Sequence, residues 1–96
     1  MEIEVTKPAF QWFKEEFDLD EDDYMRLFVR YGGCGDIQKG FSLGLVKEFP
    51  KHKAVDTDVE GVTFYIEEED LWYFKNQNVK IKYSRKKEEI EFVHGE

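Results

Sequence analysis

Apolar residues recur at every second position in short runs along most of the chain, and this period of two is the feature that most limits how it can fold. Ile3 and Val5 alternate with Glu2, Glu4 and Thr6, and Leu27 and Val29 with Arg26, Phe28 and Arg30. Phe41, Leu43 and Leu45 alternate with Ser42, Gly44 and Val46. Val79, Ile81 and Tyr83 alternate with Lys80, Lys82 and Ser84, and Ile90 and Phe92 with Glu91 and Val93. Such runs bury one face of a pleated strand and do not sit as helices. Strands are expected over about residues 2–5, 25–31, 41–49, 53–59, 62–66, 79–84 and 90–93, with Glu60-Gly61 as a hairpin turn.

Two segments depart from that period. Behind Thr6 as N-cap and Pro8 in a first turn, Ala9, Phe10, Phe13 and Phe17 recur at helical spacing, which predicts a helix over Lys7–Phe17. Glu67 to Asp70 precede Leu71-Trp72-Tyr73-Phe74, and acidic residues meeting the positive end of a helix dipole predict a second, short helix. The aromatic helix faces, Trp12, Phe13 and Phe17 in one and Trp72, Tyr73 and Phe74 in the other, are expected in the core. The inward spacing predicts burial of Phe10, Phe13, Phe17, Leu27, Val29, Phe64, Ile66, Leu71, Ile81 and Phe92. The fold class is α+β, with small, mostly antiparallel mixed sheets and two short helices. With 96 residues, 41% of them apolar, the chain is expected to form one domain, residues 1–96, around one core, which excludes a multidomain enzyme.

A net charge of -8 repels phosphate backbones, so nucleic acid is not an expected partner. The longest charge-free stretches, such as residues 40–46, fall far short of the ~20 apolar residues needed to cross a bilayer. Met1-Glu2-Ile3-Glu4 has neither the basic nor the apolar region of a secretory signal, so the expected location is cytoplasmic, with no membrane partner.

Seven of the nine residues from Glu15 to Asp23 are acidic, and the block is expected to be a solvated loop. Asp18, Asp20 and Asp22 match positions 1, 3 and 5 of a calcium-binding loop, but Asp23 stands where that loop turns on glycine and Val29 where it needs a bidentate glutamate. A calcium site is not expected. The basic run Lys80, Lys82, Arg85, Lys86 and Lys87 lies beside Glu88, Glu89 and Glu91, which neutralise it, and reads as a solvent face and protected strand edge.

One segment resists a packing explanation. Three glycines surround the only cysteine in Gly32-Gly33-Cys34-Gly35. Glycine there marks backbone that a Cβ would forbid, and it leaves the sulfur sterically open. A lone cysteine forms no intrachain disulfide, and a thiolate is a soft donor suited to iron-sulfur or zinc centres. A cysteine hydrolase using Cys34 with His52 or His94 lacks the local signatures of such enzymes, and Asp36 opposes thiolate formation. His52 reads as a surface residue, and His94 as either a surface residue or a weak metal ligand.

Ile3-x-Val5-Thr6-x-x-Ala9, then Arg26-Leu27-Phe28-Val29-Arg30 feeding Gly32-Gly33-Cys34-Gly35, and Val62-Thr63-Phe64-Tyr65-Ile66 before a short helix and a closing strand pair, resemble the HesB-like iron-sulfur biosynthesis domain. This is the A-type carrier family that includes IscA. The resemblance implies a compact pseudo-barrel of small mixed sheets with the cysteine at a strand end. It implies no catalysis, and a role in iron-sulfur cluster biogenesis or iron handling, with assembly or recipient proteins as partners. Family carriers add a C-terminal Cys-x-Cys, whereas this chain ends Phe92-Val93-His94-Gly95-Glu96, like the single-cysteine branch of Gram-positive bacteria. Only Cys34 carries over, with Gly32, Gly33 and Gly35 around it, toward an iron-sulfur cluster or iron. Clusters normally take about four protein ligands, so a homodimer would bring two thiolates and leave the rest to His94, carboxylates or an external thiol. The alternative is a module that keeps the fold, has lost cluster chemistry and binds a protein or small ligand through the Gly32–Phe41 loop and neighbouring aromatics.

Overall fold

The computed structural model describes residues 1–34 and 39–95. In chain order these form β1 (Ile3–Val5), α1 (Lys7–Phe17), β2 (Tyr24–Cys34), β3 (Lys39–Lys47), β4 (Lys53–Val59), β5 (Val62–Glu67), a 3₁₀ helix (Glu68–Phe74), β6 (Asn78–Ser84) and β7 (Glu89–Gly95). The strands make two mixed sheets, one ordered β1-β6-β7 and one ordered β3-β2-β5-β4. Hairpin neighbours pair antiparallel, while β1 runs parallel to β6 and β2 parallel to β5. The fold is α+β, as expected, and the two parallel pairs tie strands far apart in the sequence.

Helix α1 starts where Thr6 Oγ1 accepts from the Ala9 N–H at 3.3 Å, and stops where Asp18 turns left-handed at φ 51° and donates its N–H to the Lys14 carbonyl. It buries Ala9, Phe10 and Phe13, and the rings of Phe10 and Phe13 meet Phe64 of β5 at 6.3 and 5.7 Å. Met25 and Leu27 of β2, Ile66 of β5 and Val79 and Ile81 of β6 complete the core with Tyr73 and Phe74. Each such large apolar side chain contributes about 1.5 to 3 kcal/mol by leaving water.

Two glycines have specific causes. At Glu60-Gly61, between paired Val59 and Val62, both residues have positive φ, 49° and 88°, the geometry of a two-residue hairpin turn. Gly44 faces Phe28 across the β2–β3 ladder, and a Cβ there would lie 2.8 Å from both Phe28 Cζ and Arg30 Cδ. The ring occupies the space a side chain would need.

The expected burial of Leu71 is not found: it is 36% exposed, and its neighbour Trp72 48%. The segment is a 3₁₀ helix, whose period of three turns Asp70 and Tyr73 inward together and leaves Leu71 and Trp72 outside. Phe17, Val29 and Phe92 are half-buried at the margin of the core. Leu19, inside the acidic block, is buried at 3%, so that loop is anchored as well as solvated.

Candidate functional site

Strand β2 carries the residues singled out by the sequence at one end and an ion-pair network at the other. Its backbone runs through Gly32 and Gly33 to Cys34, which is in register with Lys39 of β3, and the pairing slips between Tyr31 and Cys34. Gly35 lies outside the described residues. A register slip lets a strand bend and redirects the backbone beyond it.

His94 lies on β7 opposite Val79, half-buried, with its ring against Tyr73 at 6.4 Å. Tyr73 in turn meets Phe41 at 6.4 Å, and Phe41 meets Tyr31 at 5.3 Å. A file of rings therefore leads from His94 to the residue three before Cys34. Trp72 joins it at 5.3 Å from Phe41, and Tyr31 is 89% exposed. The outer members of this file were not singled out by their spacing, because aromatic residues next to alternating strands read as core.

At the opposite end, Arg26 is ringed by carboxylates. Nη1 donates to Glu48 at 2.9 Å, and Nη2 donates to Glu69 and Asp70, each at 2.8 Å. Partial burial works against its charge, but Asp70, Glu48 and Glu69 outweigh that and hold the guanidinium above its usual value. Beside it, Glu67 is 4% exposed and accepts the backbone N–H groups of Lys51 and His52, both at 2.6 Å. Burial alone would raise the Glu67 carboxyl; the two N–H donors, with Arg26 behind them, hold it below the ordinary range. Tyr65 donates its hydroxyl to the Glu48 carbonyl at 2.6 Å, and burial with nearby Glu48 and Glu67 pushes its phenol up to about 12, so it stays a donor at neutral pH. His52 is exposed, as expected.

A single chain offers one thiolate. Among the described residues, no three His, Cys, Asp or Glu side chains converge to hold a metal ion. One thiolate falls short of the about four protein ligands that an iron-sulfur cluster takes.

The model of the iron-sulphur cluster biosynthesis family matches residues 1–96. The chain belongs to that family. A family relative in Bacillus subtilis, named a pyruvate dehydrogenase inhibitor, is 47% identical over 94 residues, covering 98% of this chain and 99% of the relative. An uncharacterised protein of Staphylococcus saprophyticus is 37% identical over 100 residues, covering 97% and 98%. Among solved structures, IscA with its [2Fe-2S] cluster superposes at a TM-score of 0.54 and 25% identity, over 96% of this chain and 79% of that one. The fold is thus that of IscA, as the sequence resemblance implied. Among the described residues, no helix is long and apolar enough to cross a membrane.

Proposed function

We propose that this chain is a non-catalytic regulator that binds pyruvate dehydrogenase and lowers its activity, using a fold shared with iron-sulfur carriers. The observation that carries this reading is the 47% identity with the named pyruvate dehydrogenase inhibitor, which extends over nearly the whole of both chains. It agrees with the chemistry of the chain. Cys34 is the one cysteine of the sequence, so a monomer brings one soft ligand where a cluster takes about four. The exposed Tyr31, Phe49 and Trp72 are the kind of aromatic side chains from which protein interfaces are built. The test is a titration of the purified chain into pyruvate dehydrogenase while NADH formation is followed. A saturable fall in rate is expected, and an unchanged rate at a large excess overturns the reading.

The likeness to IscA with its cluster favours a second reading, in which Cys34 handles a cluster or iron at the interface of a homodimer and passes it between assembly and recipient proteins. Anaerobic reconstitution of the wild type and Cys34→Ser tests it. Stoichiometric iron and sulfide in the wild type alone would support it, and a colourless wild type, or equal binding by Cys34→Ser, would sink it.

A further inference from the structure

Phe49 follows β3 and is 76% exposed, yet the backbone around it is tied on both sides. Before it, the Glu48 N–H donates to the Tyr24 carbonyl at 3.2 Å, and the Glu48 carbonyl accepts from Tyr65 Oη at 2.6 Å. The Glu48 side chain is held by Arg26. After it, Pro50 fixes its own φ, the Lys51 and His52 N–H groups are gripped by the buried Glu67 carboxylate, and the His52 carbonyl accepts from the Glu68 N–H at 2.8 Å. The ring leans on Tyr24 at 5.4 Å, next to a cavity of about 280 Å³ lined by Asp23, Tyr24, Lys47, Glu48 and Phe49.

An isolated surface phenylalanine needs no explanation, but one presented on so constrained a loop has little entropy left to lose on contact. The charge around it is unusual for this protein. Within a chain of net charge -8, residues 47–53 hold Lys47, Lys51 and Lys53 against Glu48 alone. Lys47 pairs with Asp23 and Lys53 with Asp56, while Lys51 has no ion-pair partner among the described residues. An apolar ring beside a lysine whose ammonium group pairs with no carboxylate among the described residues complements an apolar pocket with an acidic rim.

Resting on the function proposed above, we infer that Phe49 and Lys51 form a preorganised anchor that seats in a carboxylate-rimmed apolar pocket of pyruvate dehydrogenase. Binding of the purified full chain to purified pyruvate dehydrogenase, measured by biolayer interferometry, tests it with Phe49→Ala, Lys51→Glu and, as a control on the other sheet, Lys82→Glu. Phe49→Ala and Lys51→Glu are each expected to weaken binding by about ten-fold or more, as loss of a central anchor does, with thermal melting unchanged because both side chains face solvent. Lys82→Glu should shift affinity less than about two-fold, as rim charges do. Wild-type affinity in the Phe49→Ala and Lys51→Glu variants overturns the anchor while leaving the inhibitor reading intact. If the wild type itself fails to bind, both fall. If Phe49→Ala abolishes only self-association in sedimentation and spares enzyme binding, the occupant is a second copy and the inference is wrong.

Discussion

Glu67→Gln isolates the contribution of the buried carboxylate that holds the Lys51–His52 backbone. The substitution keeps the size of the side chain and removes its charge. One oxygen can still accept an N–H, but the amide nitrogen then faces the other N–H, donor against donor, where the carboxylate had accepted both at 2.6 Å. Hydrogen bonds to a charged group contribute about 1.5 to 3 kcal/mol each, and because Lys51 and His52 are otherwise exposed, the freed N–H recovers part of that from water. The expected loss is about 2 to 3 kcal/mol, or about 10 to 20 °C in Tm for a domain of this size. The pH dependence gives a second, independent signature. The Glu67 carboxyl titrates below its ordinary value of 4.5 in the folded chain, so its stabilisation is complete above that value and is lost as pH falls through the lower, folded value. Wild type and Glu67→Gln should therefore differ fully at neutral pH and converge in acid. Urea denaturation at pH 7 and near pH 3.5 checks both. A neutral-pH difference below about 0.5 kcal/mol, within the ordinary range of surface substitutions, refutes the argument, as does a gap that persists unchanged in acid.

Phe13→Ala removes a ring that is 1% exposed and that meets Trp12, Phe17 and Phe64, and should cost about 3 to 5 kcal/mol; a denaturation loss below about 1 kcal/mol would show that the cavity collapses. Gly61→Val places a β-branched residue at φ 88° with its Cβ 3.0 Å from Glu21 Cγ, and should lower stability by about 1 to 3 kcal/mol, read by differential scanning calorimetry, where an unchanged Tm would count against the strained turn.

The alternation of apolar and polar residues located the strands because its period is local: Val79, Ile81 and Tyr83 need no knowledge of their neighbours to share a face. The same holds for α1, where Thr6, Pro8 and the Phe10-Phe13-Phe17 spacing all point to one helix. What failed was the segment whose period depends on its surroundings. Leu71 reads inward on an α-helical spacing of 3.6 and outward on a 3₁₀ spacing of three, and nothing within Glu68–Phe74 chooses between them. The choice is made from outside, by Arg26, which draws Asp70 inward across 44 residues of sequence. Glu67 was equally illegible. As an acid before a helix it reads as a dipole partner, whereas its function in the fold is to accept two N–H groups from a loop about fifteen residues earlier. Cys34 stands on composition, three glycines around a thiol, and the fold adds to it only the strand end and the backbone register with Lys39.

The two ends of β2 are built to act separately. At about 3.3 Å per residue, the eight-residue path from Arg26 to Cys34 spans about 26 Å less what the register slip takes up. Between them Leu27 is fully buried, Val29 packs on the core and Phe28 is locked over Gly44, so that stretch of the strand is a rigid spacer. Sites more than about 10 Å apart with no shared partner add within about 0.5 kcal/mol. Phe49→Ala and Cys34→Ser should then act independently: the double variant loses enzyme affinity by the factor of Phe49→Ala alone multiplied by any effect of Cys34→Ser. Binding measured for all four forms closes the cycle. A coupling above about 1 kcal/mol would mean that one partner surface reaches both ends of the strand, and that the cysteine and the anchor belong to one interface.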